Sequence, residues 1–356
     1  MPAATITILE ETDASVSFSG AGWTTDSSSS HSGGTAKKTT GNGDTCTFVA
    51  PANCRAIYLF HAVVQGGSLF GVTVDGVPQA GQFSCATAGA VGSGGYYRYL
   101  TPLYRGAVDA PHTVVLSNPA GGTTLFVDAF VTVSGPKGTP LPGVYVAMGD
   151  SWTVGSGAVN TRTAYLPRAA ALLQQKLRRP ITPVNQGLAG DFLFASAGKA
   201  GGVYRTIAAL ANQPEFLSYL FGANDLSTSS QPVPAGEFAR TYHALLCLLE
   251  DALDTSQVKV AVSTPPWLSP GVLWNNFAPV NSWGSPLDNL ESAAALVRHV
   301  VAQFPWCLLA DVFGAMDYRT GLLVPNSNND LGLHPNDMGH GVIAVEMARA
   351  LLDVVG

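Results

Sequence analysis

Apolar and polar positions change rhythm once along this chain, near residue 135. Before that point no helical period holds. Short β-rich runs cover residues 15–19, 45–49, 56–64, 70–74, 96–103, 112–117 and 124–133, separated by clusters of turn residues. Valine, threonine, tyrosine and phenylalanine in such runs fit a pleated, half-buried surface, so each run predicts a strand. Asp75-Gly76, between Val72-Thr73-Val74 and Val77, is a type I′ hairpin signal. Many short strands joined by Gly, Ser and Pro turns predict an antiparallel sandwich. Residues 24–42 are rich in Ser, Thr and Gly and read as a long loop or a partly disordered segment.

After that point the period changes. Residues 136–143 read as a linker stiffened by Pro136, Pro140 and Pro142. Apolar runs at 144–148, 181–184, 217–221, 258–262 and 307–310 then alternate with helical patterns near 164–177, 204–210, 235–253, 288–304 and 337–352. Strand and helix in alternation predict a parallel sheet covered on both faces. The expected organisation is a β-sandwich over 1–135, a linker over 136–143 and an α/β domain over 144–356. In such α/β sheets ligands bind beyond the carboxyl ends of the strands.

Composition narrows the function classes. The chain has 356 residues, more than the ~100–200 of one domain. Charged residues make up 12%, against about 25% in an average soluble protein. That low charge favours an extracellular or virion-associated protein over a cytoplasmic one. The start, Met1-Pro2-Ala3-Ala4-Thr5, lacks the basic and apolar regions of a signal peptide. A net charge of −6 argues against a nucleic-acid partner. No apolar run reaches the ~20 residues of a membrane span. Cys46, Cys54, Cys85, Cys247 and Cys307 show no metal-ligand spacing, so neither metal nor cofactor is expected. Cys46 and Cys54 flank a short turn and can form a local disulfide; Cys247 and Cys307 read as core thiols.

Four segments at strand ends carry the chemistry. Gly149-Asp150-Ser151 follows the run Val144 to Met148, which presents a serine inside a tight turn. Alone, that tripeptide suits any surface turn. Asn185-Gln186-Gly187-Leu188-Ala189-Gly190-Asp191 follows the second run and Gly222-Ala223-Asn224-Asp225 the third. A loop ending Asp330-Leu331-Gly332-Leu333-His334-Pro335-Asn336-Asp337 follows the last. Together they supply what acyl transfer needs. Ser151 attacks a carbonyl and His334 relays its proton. The N–H groups of Ser151 and Gly190 and the Asn224 amide hold the oxyanion.

These four blocks, in this order, resemble those of the SGNH (GDSL-type) hydrolases, over roughly residues 143–354. The resemblance implies a flavodoxin-like three-layer α/β/α domain without a metal. It makes Ser151 the nucleophile, Gly190 and Asn224 the remaining oxyanion donors and His334 the base. Members of that family are esterases, lipases, thioesterases and carbohydrate deacetylases. One position departs from the pattern: three residues before His334, where an aspartate is usual, stands Leu331. Asp330, one residue earlier, is the favoured acid; a backbone carbonyl or a distant acid are the alternatives.

Other residues read more plainly. Asp150 and Asp225 suit turn or cap roles, and Asp337 the first turn of the final helix. His340, His243 and His299 lie in helical patterns and read as structural. Trp152, beside the nucleophile, and Trp267, in an aromatic loop with Trp274, Phe277 and Trp283, are the candidate substrate contacts. The first domain loosely resembles jelly-roll modules of carbohydrate esterases and phage tail hydrolases, and is a candidate for carbohydrate binding or assembly. The expected function is a serine esterase removing O-acetyl groups from a carbohydrate. The alternatives are a generic short-chain esterase or lipase, or a non-catalytic carbohydrate-binding particle protein. Neither the oligomeric state nor the exact polysaccharide follows from sequence.

Overall fold

The computed structural model describes residues 4–29, 31–64, 67–80, 83–86, 97–119, 121, 123–193, 201–228, 233–268, 286–316, 320–324 and 332–352. They fall into two compact units. One includes the chain up to Gly138, together with Cys247–Leu253. The other includes Thr139–Leu193, Tyr204–Leu246 and the chain from Asp254.

The paired strands of the first unit run antiparallel. Its strands are β1 (Thr5–Glu10), β2 (Val16–Ser19), β3 (Thr24–Ser27), β4 (Thr35–Thr39), β5 (Thr45–Val49), β6 (Cys54–Val63), β7 (Leu69–Val74), β8 (Val77–Pro78), β9 (Phe83–Ser84), β10 (Tyr97–Ala110), β11 (Thr113–Ser117), β12 (Leu125–Val127) and β13 (Ala129–Ser134). One sheet runs β1-β13-β6-β10 and a second β2-β5-β11-β7-β8, with β9 beside β7. Alternate side chains of both meet in one core: Ile57, Leu59 and Phe130 from the first, Phe48, Val72, Val114 and Leu116 from the second. Phe48 stacks on Phe130, with ring centroids 4.2 Å apart. Each such side chain, fully enclosed, stabilises the unit by about 1.5–3 kcal/mol. Asp75 and Gly76, both at positive φ, close the expected hairpin between β7 and β8.

Two expectations for this unit are corrected. Residues 24–42 are not one loop: β3 and β4 pair within them, and β4 pairs with β12 in a third sheet. Threonine is β-branched and favours extended backbone despite its polarity. The segment also buries Ala36 and Thr39. Its polar groups find partners, since Asp26 pairs with Lys38 and with His31 Nε2 at 2.9 Å. Cys46 and Cys54, in turn, are free thiols, not a disulfide. They lie on β5 and β6, in different sheets, and Cys54 Sγ donates to the Ala56 carbonyl at 3.2 Å.

The second unit holds the parallel sheet. Its strands are β14 (Val144–Gly149), β15 (Thr182–Gly187), β16 (Phe216–Leu220), β17 (Lys259–Ser263) and β18 (Cys307–Ala310). The helices are α1 (Ser151–Val154), α2 (Tyr165–Leu177), α3 (Gly202–Ala209), α4 (Ala235–Ala252, which ends in the segment grouped with the first unit), α5 (Pro286–Ala302), α6 (Val312–Met316) and α7 (Asp337–Leu352). Strand order is β15-β14-β16-β17-β18. This is the flavodoxin-like order, and its direction reverses between β14 and β16, where α/β sheets place their ligands. The central strands are buried at nearly every position because helices cover both faces. On α7, Ile343, Ala344, Met347, Ala348 and Leu351 are buried, and the helix packs along α2.

Candidate active site

β14 ends at Gly149, and the chain turns at once into the single-turn α1. Gly149 has no room for a side chain: an added Cβ would lie 2.0 Å from Thr153 Oγ1 and 2.5 Å from the Leu220 carbonyl oxygen. Asp150 caps the turn, accepting from Trp152 N at 2.9 Å. Ser151 follows as the first helical residue. Successive helical residues point about 100° apart, so Ser151 and Trp152 face different ways.

Ser151 Oγ lies 2.9 Å from His334 Nε2, though 183 residues separate them in the chain. A hydroxyl within hydrogen-bond reach of an imidazole is the pair that nucleophilic catalysis requires. Gly190 sits in the turn after β15 at φ +71°, a left-handed conformation that a residue with a Cβ adopts at a cost. Asn224 opens the π-helical turn Asn224–Thr228 after β16. Its Nδ2 donates to the Asp191 carbonyl at 2.8 Å. A side-chain amide has two N–H bonds, so one geometry can serve both Asp191 and an oxyanion. In the other direction, Leu193 N donates to Asp225 Oδ1 at 2.8 Å. The turns that carry Gly190 and Asn224 are thereby tied to each other twice.

Asp330 and Leu331 lie outside the described residues, as do Trp274, Phe277 and Trp283. Asp337 opens α7, and its carboxylate accepts from Val159 N at 2.9 Å. His340 is fully enclosed and hydrogen-bonded to the Ser156 carbonyl at 3.0 Å. Burial lowers its pKa to about 4, so it stays neutral at pH 7.

Trp152 requires a correction. It is fully buried, so its indole faces the interior and not a substrate. Trp267 is nearly as enclosed. Both large apolar faces gain more by packing inside than by waiting at a rim. Asp225 differs too, because it is completely buried and bridges to the Leu193 backbone of the neighbouring turn where a local cap was expected. Sequence reading also missed that each oxyanion-donor candidate has an aspartate beside it: Asp150 at Ser151, Asp191 at Gly190 and Asp225 at Asn224. The signal was present in the motifs, but turn propensity explained each one separately.

All three aspartates are buried. Burial first, and then the charge of Asp191, push the Asp150 carboxyl up to about 7. Burial also holds Asp225 well above the usual range, with Asp150 and Asp191 adding to it. The unfolded Asp150 carboxyl titrates near ~4, so between ~4 and ~7 the folded chain keeps a proton that the unfolded chain has released. The resulting stability is full below ~4 and is lost as pH rises through ~7. Asp150→Asn keeps the acceptor for Trp152 N and removes the titration. It is expected to gain stability relative to the parent as pH rises, by up to about 4 kcal/mol. His340 contributes a slope of opposite sign, with stability falling as pH drops from ~6.5 toward ~4. The readout is therefore the difference in Tm between variant and parent from roughly pH 5 to 8. A pH-independent difference would refute the assignment.

The sequence pattern of the GDSL-like Lipase/Acylhydrolase family matches residues 147–342. No curated protein matches the chain. Solved structures resemble it at low identity. A family two carbohydrate esterase from Cellvibrio japonicus is 13% identical, with 99% of this chain and 100% of that one covered, at a TM-score of 0.39. A family two carbohydrate esterase from Clostridium thermocellum, in complex with cellohexaose, is 17% identical over 94% and 99%, also at 0.39. The lipase/acylhydrolase from Enterococcus faecalis is 18% identical over 58% and 93%, again at 0.39.

Proposed function

The chain belongs to the GDSL-like lipase/acylhydrolase family, and on that premise we propose that it is a serine esterase acting on O-acetyl groups of a carbohydrate. The observation that carries the esterase reading is the 2.9 Å contact between Ser151 Oγ and His334 Nε2 at the point where the sheet's strand order reverses. His334 Nε2 takes the Ser151 proton as Oγ attacks the ester carbonyl. The N–H groups of Ser151 and Gly190 and the Nδ2 of Asn224 stabilise the tetrahedral oxyanion. His334 then protonates the departing alkoxide, leaving an acyl-serine. Water, deprotonated by the same nitrogen, attacks that ester and releases the carboxylic acid.

Two features favour a short acyl group on a sugar. Trp152, the large apolar side chain next to the nucleophile, is packed into the interior. A β-sandwich unit also precedes the hydrolase sheet, on a chain with only 12% charged residues. A series of p-nitrophenyl esters from acetate to octanoate, run beside acetylated oligosaccharides, tests this. The expected profile is highest for acetate, falling about tenfold or more by octanoate, with free acetate released from the saccharides. Preference for octanoate would overturn the acetyl assignment. Turnover of p-nitrophenyl acetate without acetate release from any saccharide would leave a generic short-chain esterase.

A further inference from the structure

Carbonyl oxygens at the carboxyl ends of parallel strands point beyond the last ladder hydrogen bond and need donors. At the ends of β14 and β15 one side chain supplies them. Arg205, on α3, donates from Nη1 to the Gln186 carbonyl at 2.6 Å and from Nη2 to the Gly149 carbonyl at 3.2 Å. The same guanidinium holds the enclosed Asp191 carboxylate, with Nε and Nη2 at 2.8 and 2.6 Å from Oδ2. Gly149 lies two residues before Ser151. Asp191 directly follows Gly190, and its carbonyl receives the Asn224 amide at 2.8 Å. The Gly149 carbonyl also accepts from Leu188 N at 3.0 Å. One rigid, planar fork is therefore hydrogen-bonded to the segments that carry all three candidate oxyanion donors, directly or through Asp191. Lysine places its donors on one nitrogen at the end of a flexible stem and cannot span these acceptors as the three nitrogens of a planar guanidinium do. Arg205 acts through the Gly149 and Gln186 carbonyls and the Asp191 carboxylate, and not on the reacting atoms.

We propose that Arg205 is the positioning residue of the oxyanion hole, fixing the mutual spacing of Ser151 N, Gly190 N and Asn224 Nδ2 through Gly149, Gln186 and Asp191. This rests on the esterase reading above. Oxyanion donors act only when held where charge develops, and a displacement of about 1 Å can cost about 10²-fold. The loss falls on the transition state, so kcat changes while ground-state binding does not.

The test compares the parent protein with Arg205→Gln, Arg205→Lys and Arg205→Ala, and takes Ser151→Ala as the blank. For each, kcat and KM on p-nitrophenyl acetate, the affinity for a boronic acid that mimics the tetrahedral oxyanion, and Tm are measured. In Arg205→Gln, kcat is expected to fall about 10²-fold and boronate affinity in parallel, with KM within about threefold. Arg205→Lys should fall between, and millimolar ethylguanidinium should restore part of the Arg205→Ala activity. A folded Arg205→Gln whose kcat and boronate affinity stay within about threefold of the parent overturns the proposal. If Arg205→Gln fails to fold, an unimpaired Arg205→Lys overturns it equally. Parent turnover no higher than that of Ser151→Ala would instead sink the esterase reading on which it stands.

Discussion

Ser151→Ala is expected to lower hydrolysis of p-nitrophenyl acetate by about 10⁴-fold or more while leaving Tm nearly unchanged. The chemical loss follows from the removal of the only atom that bonds to the acyl carbon. On the proposed reading the backbone N–H of residue 151 and the donors from Gly190 and Asn224 remain, so substrate should still bind and residual catalysis should persist. The structural loss is small because the hydroxyl's recorded partner is His334 Nε2, on the active-site side. The cap on α1 comes from Asp150, which the substitution does not touch. Intact-mass measurement gives a second readout: the parent should gain one adduct with a fluorophosphonate ester and the variant none. Equal rates, or equal labelling, would remove Ser151 from the reaction.

Asn224→Ala is expected to lower kcat by about 10²- to 10³-fold with a much smaller change in KM. On the proposed reading the amide is one of three donors, and its worth lies in the oxyanion and not in the planar ester that precedes it. Part of the effect has another origin. Asn224 Nδ2 also holds the Asp191 carbonyl, so its removal loosens the turn bearing Gly190. A double variant with Arg205→Gln should consequently lose less than the product of the two single losses, because both act on that turn. Steady-state kinetics of the single and double variants check this. A KM rise with unchanged kcat in Asn224→Ala would assign it to substrate binding.

The parts of this fold that sequence disclosed are those with a strong apolar period. Residues 307–310 and 337–352 match β18 and α7 to the residue. The other parallel strands shift by one position, or extend at one end by one to three, since buried runs carry no internal mark of where pairing begins. β3 and β4 were hidden by their composition: Thr24-Thr25-Asp26-Ser27 looks like a solvated turn until His31 and Lys38 are seen to pair with Asp26. In the candidate site, the contact between Ser151 and His334 was legible because each residue sits at a fixed place in a short block. Arg205 was not. It lies in an ordinary amphipathic helix, 56 residues from Gly149, and nothing local distinguishes it from a surface arginine. Trp152 was misread for a related reason: adjacency in sequence says nothing about which side of a helical turn a residue takes.

The five free thiols have a consequence of their own. All are buried. Burial raises Cys247 to about 11 and Cys307 to about 12, and lifts Cys46 far above the ordinary thiol range, so these three stay protonated near neutral pH in the folded chain. Thiolate is the reactive form. Alkylation therefore waits on local opening. Cys46, Cys54 and Cys85 belong to the sandwich, whereas Cys307 belongs to the parallel sheet. The chain thus carries its own clocks, with separate hands for its two units, and each starts only when the structure around it comes apart.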